Sequence, residues 1–116
     1  MDIEAVRRYC LSFPHATEDI QWQSVLLFRI AGKIFVTIAL ENTPTGICFK
    51  CTPEDFADLV EREGVIPAPY LARNHWVLVE RLDGVPRAEL KRLIKDSYDM
   101  IAAKLPKRTK RELGLA

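Results

Sequence analysis

Two β-rich runs separated by a two-residue turn constrain this chain more than any other feature. Val25 to Ile30 and Lys33 to Leu40 are dense in β-branched and aromatic residues, and Ala31-Gly32 lies between them. Such side chains suit a pleated, half-buried surface. A glycine at a two-residue connection supplies the positive φ that a tight hairpin needs. The spacing therefore predicts an antiparallel hairpin. In its second strand Ile34, Val36, Ile38 and Leu40 share one face, and Phe35, Thr37 and Ala39 share the other. Both faces are apolar enough to place that strand inside a sheet.

An apolar sheet face must be covered, and the flanking sequence supplies helices. Ile3, Val6, Cys10 and Phe13 recur at helical spacing, which predicts an amphipathic helix over residues 2 to 12, stopped by Pro14. After an Asn42–Gly46 loop, Ile47 to Cys51 reads as a third strand. Thr52-Pro53-Glu54-Asp55 then has the makings of a helix start: a capping hydroxyl, a proline at the first helical position and acids at the positive helix end. Gly64 is the expected C-cap of that helix, and Pro67-Ala68-Pro69-Tyr70 reads as a rigid extended connector. A turn at Arg73-Asn74 leads into an alternating strand from His75 to Leu82, closed by Asp83-Gly84. Pro86 opens a last helix with Leu90, Leu93, Ile94, Ser97/Tyr98, Ile101 and Leu105 on its buried stripe, and Pro106 ends it. The order is helix, hairpin, strand, helix, strand, helix. It implies an α/β (α+β) two-layer sandwich, an antiparallel sheet covered by helices on one face.

The 116 residues suit one domain, over residues 1–106, followed by a short basic tail at 107–116. A chain of this length buries roughly two thirds of its unfolded surface, enough to fold without a metal or disulfide. No run is long and apolar enough to span a membrane, and the acidic N-terminus lacks the pattern of an export signal. Together with an odd number of cysteines, three, this points to a cytoplasmic protein with no membrane partner.

Catalytic signatures are missing: there is no G-x-S-x-G, no phosphate-binding P-loop and no G-x-G-x-x-G. A non-catalytic protein without cofactor or metal is expected. Cys48-Phe49-Lys50-Cys51 has the C-x-x-C spacing, but residues three apart on a strand point to opposite faces, so the two sulfurs should diverge and pack as small hydrophobes. His15 and His75 lack an adjacent nucleophile or acid.

The cations are more suggestive. Net charge is only +1, yet Lys104, Lys107, Arg108, Lys110 and Arg111 crowd the C-terminal end against the single acid Glu112. Lys33 lies by the hairpin tip, Lys50 on the strand face opposite Phe49, and Arg73, Asn74, His75 and Trp76 form a polar and aromatic cluster. Such groups can hold phosphate oxygens and stack on bases, although Trp76 equally suits a core anchor.

Several segments taken in order also resemble a known family. They are Phe28-Arg29-Ile30-Ala31-Gly32-Lys33-Ile34-Phe35, Phe49-Lys50-Cys51-Thr52-Pro53-Glu54, Pro67-Ala68-Pro69-Tyr70 followed by Asn74-His75-Trp76-Val77, and Ser97-Tyr98 with Lys104-Leu105-Pro106. Together they look like the MmcQ/YjbR family, over about residues 2 to 106. The resemblance implies a fold like that of the CyaY/frataxin group and of type III secretion chaperones. It also implies the family's DNA-binding label and "double wing" description, with the hairpin at Lys33 and the turn at Arg73-Asn74 as the two protrusions. Frataxin-like iron binding would need an acidic first helix, and here Asp2 and Glu4 are followed by Arg7 and Arg8.

The expectation is therefore a monomeric DNA-binding protein with phosphate contacts from Lys33, Lys50, Arg73 and Asn74. His75 or Trp76 would stack, and the tail cations Lys107, Arg108, Lys110 and Arg111 would add electrostatic attraction. The alternative is a chaperone-like module that binds a peptide or partner protein, with Trp22 and Tyr70 as anchors.

Overall fold

The Ala31-Gly32 hairpin joins the second and third strands of a six-stranded antiparallel sheet. The computed structural model of the protein describes residues 1–41, 43–69 and 74–115. The chain runs α1 (Ile3–Leu11), β1 (Ala16–Gln21), β2 (Val25–Ile30), β3 (Lys33–Ala39), β4 (Ile47–Lys50), α2 (Pro53–Leu59), β5 (Val65–Pro67), β6 (Trp76–Val79), α3 (Arg87–Ala103) and α4 (Lys107–Leu113). The strands lie in the order β1-β2-β3-β4-β6-β5, and each neighbouring pair is antiparallel.

Local chemistry explains most boundaries. Ala31 and Gly32 have φ of 49° and 81°, the two positive values of a tight hairpin whose twist matches its strands. Asp2 caps α1 by accepting from the Ala5 N–H at 2.8 Å, and Thr52 caps α2 by accepting from the Asp55 N–H at 3.1 Å. Leu26, Phe28 and Ile30 of β2, Val36 and Ile38 of β3, Ile47 and Phe49 of β4 and Val77 and Val79 of β6 meet Val6 and Cys10 of α1 and Leu90, Leu93, Ile94 and Tyr98 of α3 in one core. The opposite sheet face carries the cross-strand row Leu27, Thr37, Cys48, Leu78 and Ile66.

The sheet has one irregularity. Phe28 pairs with Val36 but Arg29 pairs with Ile34, so Phe35 is an extra residue in β3. This corrects the expectation that Phe35 and Val36 point to opposite faces: both are fully buried. Ser97 of α3 resolves the break. Its buried hydroxyl donates to the Phe35 carbonyl at 2.7 Å and accepts the Lys50 N–H at 3.1 Å. Each group would otherwise be a buried polar atom without a partner, at about 1–3 kcal/mol. The neighbouring Tyr98 hydroxyl donates to the Pro14 carbonyl at 2.6 Å, and its ring packs on Phe13 and Phe35.

Three elements go beyond the sequence reading. The strand β1, Ala-Thr-Glu-Asp-Ile-Gln, is too polar to announce itself; its acids are neutralised by Arg7 to Glu18 and Arg29 to Asp19. Residues 65–67 form β5 where a connector was expected to begin, because Val65, Ile66 and Pro67 pair with β6 on the sheet edge. Residues 107–113 form α4 rather than an unstructured tail. Gly64 does not cap α2, which ends at Leu59. At φ 84° it turns the chain into β5, and its carbonyl accepts from Glu80 N at 2.8 Å. The strand expected over His75 to Leu82 is shorter, Trp76–Val79.

Candidate nucleic-acid interface

Antiparallel pairing gives the sheet two ends, and the register assigns residues to each. One end holds the Ala31-Gly32 turn with Lys33, the last residue of β4, Lys50, and the start of β6, with Lys50 opposite Trp76. The long helix α3 reaches this end and finishes at Ala103, with Lys104 at its C-cap. There α4 docks: the Lys110 ammonium donates to the Ala103 carbonyl at 2.9 Å, and His15 Nε2 lies 2.7 Å from the Leu113 carbonyl. A carbonyl can only accept, so Nε2 carries the proton.

Lys33 is exposed, directly after the turn. Lys50 is half-buried, and its ammonium donates to the Asn74 carbonyl at 2.7 Å. Burial lowers the Lys50 pKa, and the nearby Lys104 lowers it further. Lys104 was not among the residues singled out for the site. The signal was its position at the end of an amphipathic helix, which helix periodicity alone does not aim in space. Of the α4 cations, Arg108 pairs with Glu112 at 3.2 Å and Lys110 with a carbonyl, while Lys107 and Arg111 have no ion pair among the described residues.

The polar and aromatic cluster is built for rigidity rather than display. His75 sits at φ 63°, and its carbonyl accepts from the Cys51 N–H at 2.9 Å and from the Cys51 thiol at 3.3 Å. Its ring meets Phe56 edge-on at 5.4 Å. Trp76 is only 7% exposed and packs on the sheet face of Cys48 and Leu78, opposite the main core, which leaves little ring face for a base. This corrects the stacking role for Trp76. Asn74 is exposed. Arg73 and Tyr70 lie outside the described residues.

The other end of the sheet has the opposite charge. Glu41, Glu61, Glu63 and Glu80 are exposed there without ion pairs among the described residues. Two of its cations are neutralised, Arg62 by Asp58 and Glu89, both at 2.7 Å, and Arg81 by Asp83 at 3.1 Å, whereas Arg87, which opens α3 at this end, has no ion pair among the described residues. Trp22, 78% exposed, sits at this end in the β1–β2 turn, far along β2 from Lys33.

The cysteines behave as packing residues. Cys51 belongs to the core and Cys48 to the opposite face. Burial pushes the Cys51 thiol up to about 11 and the Cys10 thiol up to about 12, so both are protonated at neutral pH. Among the described residues no group of three or more His, Cys, Asp or Glu side chains could hold a metal ion.

Comparison with known proteins adds family and fold. The YjbR family model matches residues 11–100. No curated protein matches the chain. Among solved structures, a Deinococcus radiodurans protein with a DUF419 domain is similar at a TM-score of 0.87 and 27% identity, over 98% of this chain and 88% of its own. A Pseudomonas syringae protein shares the fold at a TM-score of 0.71 and 22% identity, over 86% of this chain and 98% of its own.

Proposed function

This chain belongs to the YjbR family, and we propose that it is a non-catalytic module that binds nucleic acid through the cationic end of its sheet. The observation that carries this reading is charge segregation: a chain of net charge +1 gathers Lys33, Lys50, Lys104 and the α4 cations at one end, with Glu54 as the unpaired glutamate beside them among the described residues, and holds Glu41, Glu61, Glu63 and Glu80 at the other. A field of one sign attracts a polyanion even when the whole molecule is nearly neutral.

The contacts would be to phosphates. Lys33 projects from a stiff turn. Lys50 and Lys110 are oriented by carbonyls, which fix direction but leave the charge and further N–H donors available. Contacts of this kind position a protein on nucleic acid and carry little sequence information.

Fluorescence anisotropy of a labelled duplex and a labelled single strand, each titrated at low and high salt, tests the reading. If about four phosphates are neutralised, log affinity falls against log salt with a slope of about −3.6. Lys33→Ala and Lys104→Ala should each reduce that slope by about 0.9. Salt-independent binding, or none at low salt, overturns the reading. A second reading rests on the opposite end, where the exposed Trp22 would anchor a protein partner. A partner that co-purifies with the protein but not with Trp22→Ser would favour it.

A further inference from the structure

The helical layer contains a second cationic feature that the nucleic-acid reading does not use. Met1, Ala5, Arg8, Tyr9 and Ser12 on the α1 side and Arg87 and Lys91 on the α3 side line a cleft of about 280 Å³. Among the described residues Arg8, Arg87 and Lys91 make no ion pair, and no acidic side chain lines the cleft. Elsewhere these two helices neutralise their cations carefully. Arg7 pairs with Glu4 and Glu18, Arg92 with Asp55 and Asp96, and Lys95 with Asp99.

The arrangement is also electrostatically costly. Arg87 and Lys91 are four apart on α3, where like charges repel, and Arg8 faces them across the cleft. The wall is stiff: the Tyr9 hydroxyl donates to the Lys91 carbonyl at 3.1 Å, and the Lys91 ammonium lies 5.1 Å from the centre of the Tyr9 ring. The Ser12 hydroxyl is held by the Tyr9 carbonyl. Three unneutralised cations on a fixed frame suit an anion with more than one negative charge.

We propose that this cleft binds a phosphate dianion, either free or as the monoester of a small molecule. A phosphomonoester carries about −1.5 to −2 charges near neutral pH and three strong acceptor oxygens. The planar guanidinium forks of Arg8 and Arg87 match those oxygens two at a time, and Lys91 adds a point charge. The cleft volume is at the small end of ligand sites, which suits a compact molecule and not a polymer. The backbone diester of nucleic acid, with one charge, satisfies it less well.

The test is titration of the isotope-labelled protein with inorganic phosphate, phenyl phosphate and dimethyl phosphate, followed by amide NMR. The first two should shift α1 and α3 resonances around Arg8 and Arg87, and the diester should do so about tenfold more weakly. Arg8→Gln/Arg87→Gln should weaken phosphate binding at least about tenfold, as expected for loss of charge-assisted hydrogen bonds. Lys33→Ala/Lys104→Ala should leave it unchanged. Both Arg8 and Arg87 are exposed, so folding is not at stake. In phosphate-free buffer Arg87→Gln should raise the unfolding midpoint by about 1–2 °C through relief of repulsion. Tighter binding of phenyl phosphate than of phosphate assigns the site to an esterified ligand, and the reverse to the free ion. Unchanged affinity in Arg8→Gln/Arg87→Gln, or no phosphate-dependent shift in this cleft, overturns the proposal.

Discussion

The two ends of the sheet hold their cations in different ways, and that difference contributes to the molecule's field. At the Lys33 end, Lys50 donates to the Asn74 carbonyl, Lys110 to the Ala103 carbonyl and Arg29 partly to the Gly32 carbonyl. At the other end, Arg62 and Arg81 meet carboxylates. A carbonyl partner orients a cation and leaves its charge intact, whereas a carboxylate partner cancels it. Partner type therefore contributes to the field alongside the count of cations: Arg29 and Arg108 at the Lys33 end also meet carboxylates, and the positive charge there rests on Lys33, Lys50, Lys104, Lys107, Lys110 and Arg111.

The turns of the two ends differ as well. Ala31-Gly32 places glycine at the larger positive φ, 81°. The β1–β2 turn has Trp22 and Gln23 at φ 52° and 67°, with Ser24 N bonded to the Gln21 carbonyl at 3.2 Å. It is a three-residue connection, against two residues at Ala31-Gly32, and it is made without glycine; left-handed backbone costs a side-chain-bearing residue about 1–2 kcal/mol.

The largest expected effect bears on the field itself. Lys33→Ala/Lys104→Ala should lose roughly fifty-fold in nucleic-acid affinity at about 0.1 M salt, since each lost phosphate contact removes a counterion-release factor of about eight. Glu41→Gln/Glu80→Gln, at the opposite end, should leave affinity within about twofold, because charges beyond a Debye length of about 10 Å are screened. Equal effects from the two pairs, measured by anisotropy, would break the comparison.

Next comes the splice at the Lys50 end. Ser97→Ala leaves the Phe35 carbonyl and the Lys50 N–H unpaired and should cost about 1–3 kcal/mol in denaturant unfolding. Retention of the wild-type midpoint would mean that the bulge does not depend on Ser97.

A smaller effect concerns Glu18. The hydrogen bond from Arg7 holds its carboxyl below the usual carboxylate range, with burial opposing and the Arg7 charge adding. Its folded pKa is depressed, so its contribution is present above the unfolded value of about 4.3 and is lost as pH falls through the folded value. Glu18→Gln should therefore be less stable at pH 7, by under about 1 kcal/mol, and should converge with wild type in acid. A difference that persists in acid would assign the loss to packing.

The smallest effects compare the turns. Gln23→Gly should gain about 0.5 kcal/mol, relief of left-handed strain outweighing glycine's added unfolded-state freedom, and Gly32→Ala should lose about 1 kcal/mol. Thermal unfolding of the two variants reads both signs.

Much of the fold was legible because its signals are local. The Ala31-Gly32 turn, the Thr52 cap with Pro53, the apolar periodicity of α1 and α3 and the alternation in β6 each depend on neighbours within a few residues. β1 was invisible for the opposite reason. Glu18 and Asp19 disfavour a strand, Thr17 and Ile20 are too few to outweigh them locally, and the segment becomes a strand by pairing with β2, with distant arginines neutralising the acids. α4 follows the same rule: a short run of like charges has little helical stability alone, and docking through His15, Ala103 and Leu115 supplies the rest.

The candidate site divides along the same line. The individual cations at Lys33, Lys50 and in residues 107–111 could be named from the sequence, as could the doubt over Trp76. Which of them share an end, that Lys104 joins them, and that Arg8, Arg87 and Lys91 meet across two helices separated by most of the chain required the tertiary structure. Sequence by itself determined residue types, turn chemistry and the apolar stripes that force helices onto a sheet, because these act over one or two turns of backbone. Tertiary structure alone decided the field and the cleft, because Coulomb interactions depend on distances between groups far apart in the chain, and only packing fixes those distances.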